Sequence, residues 1–290
     1  MSSYCPNEFG LLHRALLRHP RLAWESQRRL SAEWRNLHYP AEPDFVRACA
    51  QYDQLVSLLE ATGVGIEWLD GGAGGPDSVY THDPAVVGPR GAVLGWMGKP
   101  IRGAEPHLME AAFERCGIPI LGRIEAPGHL EGGDVVWLDR HSVAVGEGYR
   151  TSAEGIRQLA VLLAEPGLEL IPVPLPHWRG PTDCLHLMSI LSPVDDDLAV
   201  VYSPLMSVPF RRLLQHRGIH LVEVPDDEWA SMGCNVLAVA PRRCIMLEGN
   251  PRTRGLLERA GAEVRVFDGS EISLKGCGGP TCLARPLRRT

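Results

Sequence analysis

Five times along the chain a glycine ends a stretch with helical spacing and opens a short apolar segment. The copies are Gly63-Val-Gly-Ile-Glu-Trp-Leu69, Gly117-Ile-Pro-Ile-Leu121, Gly167-Leu-Glu-Leu-Ile171, Gly218-Ile-His-Leu-Val222 and Gly261-Ala-Glu-Val-Arg-Val266. They recur roughly every 50 residues, a period that marks repeat architectures. A helix is predicted before each glycine; over 152–165, Ser152 reads as the N-cap and the apolar residues fall at helical spacing. The glycine then serves as the helix stop. Behind each strand comes a polar, Gly/Pro-rich loop that runs into a second apolar segment, at 76–87, 129–136, 183–190, 232–237 and 276–282. In a closed radial repeat such loops converge on the central axis, so residues distant in sequence can share one site. No linker, low-complexity tract or shift in composition interrupts the series, and residues 1–290 read as one α/β domain.

Composition narrows the partners. A 290-residue chain that is 44% hydrophobic can bury a large core. A formal charge of -6 without Lys/Arg blocks leaves no electrostatic footprint for nucleic acid, so a small molecule is the expected partner. No apolar run is long enough to span a bilayer, and MSSYCPNEFG lacks the layout of a signal peptide, which leads to the expectation of a cytoplasmic protein that does not engage membranes. Eight cysteines without regular dense spacing read as reduced thiols. The oligomeric state is not fixed by the sequence, and a homodimer stays open.

The loops carry the chemistry. Cys282 follows Gly278-Gly-Pro280, where backbone can approach a ligand closely and exposed amides can favour a thiolate, although a cysteine in a C-terminal turn is more often structural. His186 lies in a strand-like run, 185–191, where a lone histidine is ordinarily a satisfied core residue; its place in the third copy, matching that of Cys282 in the fifth, raises a catalytic role. Asp83 and Glu131 occupy the corresponding places in the first and second copies. Two carboxylates facing a pocket can hold a planar guanidinium and leave its carbon open to a thiolate. Asp77, Arg102 and Arg150 can recognise the zwitterionic end of an amino acid, the acid taking the ammonium and an arginine the carboxylate. The histidines show no metal-ligand spacing, and no phosphate or dinucleotide fingerprint is present; Gly71-Gly-Ala-Gly-Gly-Pro76 reads as a mobile loop.

The ordered set of motifs resembles the guanidino-group modifying superfamily, specifically the dimethylarginine dimethylaminohydrolases, with arginine deiminases and amidinotransferases as more distant relatives. It runs from Glu8-Phe-Gly-Leu-Leu-His-Arg-Ala-Leu-Leu-Arg18 through Asp77-Ser-Val-Tyr-Thr-His-Asp83, Glu131-Gly-Gly-Asp134, Arg150-Thr-Ser-Ala-Glu-Gly-Ile-Arg-Gln-Leu159, Leu185-His-Leu187 and Cys234-Asn235 to Gly278-Gly-Pro-Thr-Cys282. The resemblance implies a five-bladed α/β propeller, the pentein fold. It implies Cys282 as nucleophile, His186 as general acid/base, Asp83 and Glu131 on the guanidinium, and Asp77, Arg102 and Arg150 on the amino-acid head. It further implies a thiouronium intermediate, a ureido product such as citrulline, and no metal or organic cofactor. One departure stands out: His82-Asp83 replaces a family Glu-Asp pair, so His82 is expected to border the guanidinium and to alter which substituted nitrogen fits. Amidino transfer to an amine and a non-catalytic guanidino-binding homologue are the alternatives.

Overall fold

The five repeat glycines share one backbone conformation. Gly63, Gly117, Gly167, Gly218 and Gly261 have φ of 85°, 70°, 84°, 78° and 88°, and a Cβ at the first four would meet nothing within 4 Å. Glycine is required there for the left-handed turn that ends a helix, and not for want of space. The computed structural model describes residues 4–72 and 74–290. Met1, Ser2 and Ser3 of the N-terminal segment, and Ala73 of the Gly71–Pro76 loop, lie outside them.

The strands form five three-stranded sheets of one design. The first combines β1 (Leu12–Leu17) and β2 (Gly65–Trp68) with the last strand of the chain. The next two hold β3 (Ala85–Gly88), β4 (Gly91–Leu94) and β5 (Ile120–Arg123), then β6 (Val135–Asp139), β7 (Ser142–Glu147) and β8 (Glu169–Pro174). The remaining two hold β9 (Leu191–Asp195), β10 (Leu198–Val201) and β11 (His220–Glu223), then β12 (Leu237–Ala240), β13 (Arg243–Leu247) and β14 (Glu263–Phe267). The last strand, β15 (Arg285–Arg289), pairs antiparallel with β1, Leu16 opposite Arg285 and Leu12 opposite Arg289, and so joins the two ends of the chain. This is the five-bladed α/β propeller that the family resemblance implies, and it agrees with the repeat.

Within each blade the first strand in order is antiparallel to the middle one, and the middle one is parallel to the outer. A parallel pair needs a crossover, and a helix supplies it every time: Phe45–Ala61, Glu105–Cys116, Ala153–Leu163, Val208–His216 and Pro251–Arg259. Ser152 caps its helix as expected, accepting from the Gly155 N–H at 3.2 Å. Inner strands such as β3 and β12 and middle strands such as β4 and β10 are buried throughout, which explains their unbroken apolar sequence. The strand that follows each repeat glycine is the half-exposed outer one, as in β2 and β5.

The sequence repeat is therefore out of phase with the blade. The glycine-initiated strand finishes one blade, and the polar loop behind it carries the chain to the axis to begin the next. Two local expectations change. The run 185–191 is not a strand until its last residue, where β9 begins: His186 precedes a helical turn, Leu187–Ile190, with Ser189 Oγ accepting from the His186 N–H at 3.1 Å. The Gly71–Pro76 loop is tied down at its start, where Arg18 donates to the carbonyls of Leu69, Gly71 and Gly72 at 3.1, 2.8 and 3.3 Å. No helix among the described residues is long and apolar enough to cross a membrane.

Because only conformation is at stake at the repeat glycines, Gly167→Ala is expected to destabilise the fold by about 1 to 2 kcal/mol. Gly276→Ala should cost more, since its Cβ would lie 1.9 Å from the Tyr80 hydroxyl. Urea denaturation of both variants measures the difference; equal losses would contradict the assignment.

Candidate active site

Each axis-directed loop ends in a tight turn that aims one side chain at the centre before an inner strand begins. Asp83 stands ahead of β3, Glu131 ahead of β6, His186 ahead of β9, Asn235 ahead of β12 and Cys282 ahead of β15. The turn at Cys282 tolerates no side chain at two of its glycines. A Cβ on Gly278 would come within 2.4 Å of the Tyr80 ring, and one on Gly279 within 2.4 Å of Asn235. Gly133 has the same character: its absent side chain leaves room for His186 Nδ1 and Asp83 Oδ1, which a Cβ would meet at 2.4 and 2.9 Å.

Cys282, His186, Asp83, Asp77, Arg102 and Arg150 line one narrow cavity of about 60 Å³. It opens into an outer one of about 670 Å³, and Cys184, His186, Cys277 and Cys282 border both. The Cys282 thiol is pushed up to about 11, by burial first and then by the neighbouring Asp83 and Cys184, against the opposing pull of His186 and of the Asn235 amide. Asn235 Nδ2 donates to Sγ at 3.5 Å while its Oδ1 accepts from the Thr281 N–H at 3.0 Å. Burial and the neighbouring acid thus outweigh the amide, and the surroundings of Cys282 favour the protonated thiol over the thiolate that the sequence suggested.

His186 Nε2 lies 2.9 Å from Glu131 Oε2, and Nδ1 lies 3.6 Å from Cys184 Sγ and 3.9 Å from Asp83 Oδ1. Burial works against a charged ring here, but Cys184, Asp134 and Asp83 outweigh it and hold the imidazole well above its ordinary value, so it carries a proton at neutral pH. Glu131 is fully buried and spoken for. Its Oε2 also accepts from Arg150 Nη1 at 3.0 Å, and its Oε1 from the Lys99 N–H at 3.2 Å. Burial would raise its carboxyl, yet His186 and Arg150 hold it well below the usual range. Glu131 does not line the cavity; it stands behind His186 and Arg150 and orients both. It was expected on the guanidinium, and the protein's own donors take that place.

Asp83 keeps one oxygen free. Oδ2 accepts from Arg102 Nη1 at 2.6 Å, whereas Oδ1 is buried without a partner. Arg102, expected on a substrate carboxylate, is consumed by protein acceptors: Glu105 takes Nε and Nη2 at 3.0 and 2.8 Å, and the Tyr80 carbonyl lies 3.2 Å from Nη2. It is a strut under Asp83. Arg150 uses Nη1 for Glu131, and its other nitrogens have no protein partner among the described residues.

His82 is turned away from the cavity that holds Asp83. Its ring bonds the Ala284 carbonyl at 3.1 Å through Nδ1 and borders a separate small cavity of about 20 Å³, with Glu8 and Arg289. Burial, then Arg285, lowers its pKa well below the usual value and keeps it neutral. The expectation that His82 borders the guanidinium is not met, because successive residues of the turn face opposite sides. Its backbone does matter: the His82 N–H donates to the Cys282 carbonyl at 3.2 Å, and its carbonyl accepts from Arg285 at 2.6 Å. Sequence reasoning missed Cys184, Lys99, Glu105 and the role of Asn235. Asn235 alone had a signal, being the fourth copy's counterpart of Cys282. Asp83, Glu131 and His186 bring ligand atoms within 4.8 Å of one another. Glu131 Oε2 is already taken by Arg150 and His186, and the imidazole is held in its protonated form, which cannot ligate a metal, so this donor set does not fit a divalent cation.

A neutral resting thiol has a direct test. Alkylation of Cys282 by iodoacetamide, followed by peptide mapping, should accelerate with pH beyond 9 without levelling before about 10. A plateau reached by pH 8 would contradict the environment described.

The family model described as arginine deiminase matches residues 75–213 and 206–289. A dimethylarginine dimethylaminohydrolase of Pseudomonas aeruginosa is 31% identical over 84% of this chain and 89% of its own. Its counterpart from Streptomyces coelicolor is 32% identical over 83% and 86%. Among solved structures, a cysteine-to-serine mutant of the Pseudomonas aeruginosa enzyme complexed with citrulline superposes with a TM-score of 0.76 at 26% identity, covering 95% of this chain and 99% of the other. The substrate-bound N-terminal domain of a cyanobacterial arginine dihydrolase reaches 0.81 at 20% identity over 95% and 98%, a likeness of fold.

Proposed function

This chain belongs to the arginine deiminase family as a dimethylarginine dimethylaminohydrolase-like amidine hydrolase, and on that premise we propose that Cys282 opens the guanidino group of arginine or an N-substituted arginine. The observation that carries this reading is Asp83 Oδ1, a buried carboxylate oxygen without a hydrogen-bond partner, 3.9 Å from His186 Nδ1 in the cavity that also holds Cys282. An unpaired buried acceptor of negative charge calls for a cationic donor. A planar guanidinium meets that need and presents its carbon to the thiol.

Binding also activates the nucleophile. Asp83 is among the groups that hold the thiol proton in place, and a guanidinium set against it offsets that charge, so Sγ–H loses its proton to water of the outer cavity. The thiolate adds to the guanidinium carbon. Protonated His186 gives its proton to one nitrogen, the C–N bond breaks, and ammonia or an alkylamine departs, leaving a thiouronium on Cys282. The now neutral imidazole takes a proton from water as its oxygen adds to the same carbon. Cleavage of the C–S bond yields the ureido product, and Cys282 recovers a proton. Glu131 positions the ring throughout, and Arg150 offers its free nitrogens to the substrate carboxylate.

Cys282→Ser should abolish release of ammonia, methylamine and dimethylamine across a panel of guanidines while leaving the fold intact. A haloacetamidine should label Cys282; labelling confined to Cys277 or Cys184, or near-normal activity of the serine variant, would overturn the assignment. Arg150→Ala is expected to cost on the order of 2 to 5 kcal/mol in kcat/KM for carboxylate-bearing substrates. Equal kinetics of the native enzyme with arginine derivatives and a simple alkylguanidine would contradict that role. Transfer of the amidino group to an added amine, in place of ureido product, would favour an amidinotransferase.

A further inference from the structure

The end of the cavity meant for a substrate ammonium already contains one. Asp77 was expected to bind that group, but Lys99 Nζ lies 2.6 Å from its Oδ2 and the Tyr39 hydroxyl 2.8 Å from its Oδ1. Lys99 Nζ also donates to the Leu37 carbonyl at 2.8 Å, so the internal ammonium takes both a carboxylate and a carbonyl. The pair is largely withdrawn from solvent, with side-chain exposures of 16% for Lys99 and 6% for Asp77. Lys99 is not free to swing aside with its backbone. Its N–H is fixed to Glu131 Oε1 at 3.2 Å, and a Cβ on neighbouring Gly98 would come within 2.8 Å of the Arg150 Cα, so the segment is packed tightly against that residue.

The charges that remain are selective. Arg150, with nitrogens not taken by Glu131, attracts a carboxylate, and Asp83 Oδ1 attracts a guanidinium. A second ammonium at the head would find Asp77 neutralised and would stand beside Lys99 and Arg150, both positive. We propose that Lys99 is a specificity-determining residue that selects ω-guanidino carboxylic acids without an α-amino group over the corresponding α-amino acids. The inference rests on the guanidino-hydrolase reading above, keeps its chemistry, and moves the favoured substrate of that same site from arginine to its des-amino counterparts.

The test compares arginine with 5-guanidinopentanoate, which differs only in lacking the α-amino group. Binding to the Cys282→Ser protein is measured by calorimetry and turnover by the native enzyme, each with and without Lys99→Met; Lys99→Gln serves as a second variant that keeps a hydrogen-bond donor. The des-amino compound should be preferred by about tenfold or more, and both Lys99 variants should move the ratio towards arginine by a similar factor. Arginine hydrolysed and bound at least as well, with a ratio that neither variant moves, would overturn the inference alone. Failure of the protein to bind or turn over either guanidine would overturn it together with the reading beneath it.

Discussion

The pairing of the chain's two ends is the constraint on which the site depends. β15 joins β1 and closes the first blade, and the turn immediately before β15 carries Cys282. The fifth loop is then fastened to the first through His82: its N–H meets the Cys282 carbonyl, its ring the Ala284 carbonyl, and its own carbonyl the Arg285 guanidinium. Asp83, next in sequence, faces the opposite way. The separation of Cys282 from the free Asp83 oxygen is thus set by bonds between residue 82 and residues 282–285, two hundred positions apart in the chain. The position at which the sequence leaves the family pattern is a fastening and not a wall of the pocket.

Around that fastening, charge is arranged in buried pairs that hold one another. Arg102 joins Asp83 to Glu105, and Glu131 joins Arg150 to His186. Ions withdrawn from water persist only when paired in this way, and each pair fixes the orientation of the group that faces the cavity. The consequences are a protonated imidazole, a neutral thiol and one unpaired carboxylate oxygen. On the proposed reading, an incoming cation completes the electrostatics and offsets the charge of Asp83, which favours loss of the thiol proton.

Much of this was legible in the sequence because the repeat has a physical cause. A helix that must stop and return as a parallel strand needs a left-handed residue, so glycine marks each junction, and doubly buried inner strands need continuous apolar runs. Phase within the repeat was enough to gather Asp83, Glu131, His186 and Cys282. Partners on other loops were not legible. Nothing local to Lys99 or Arg102 says that one will take Asp77 and the other Asp83, since these contacts arise from how residues 98–105 fold over the axis. The side to which His82 points could not be read either, because a step of one residue in a turn reverses it. For the same reason His186, in an apolar run that reads as a strand, heads a helical turn.

The central claim is that Cys282 bonds covalently to the guanidino carbon while the body of the substrate stays attached. Intact-protein mass spectrometry of enzyme quenched in acid during turnover tests it most directly, with peptide mapping to locate the adduct. The account predicts a transient species on Cys282 whose added mass is that of the substrate less the departing ammonia or alkylamine, decaying as ureido product forms. An adduct holding only the amidino carbon and its nitrogens would mean that the substrate body leaves first and that the enzyme transfers the group. Full turnover with no adduct on Cys282 under any quench, and with Cys282→Ser still active, would contradict the account outright.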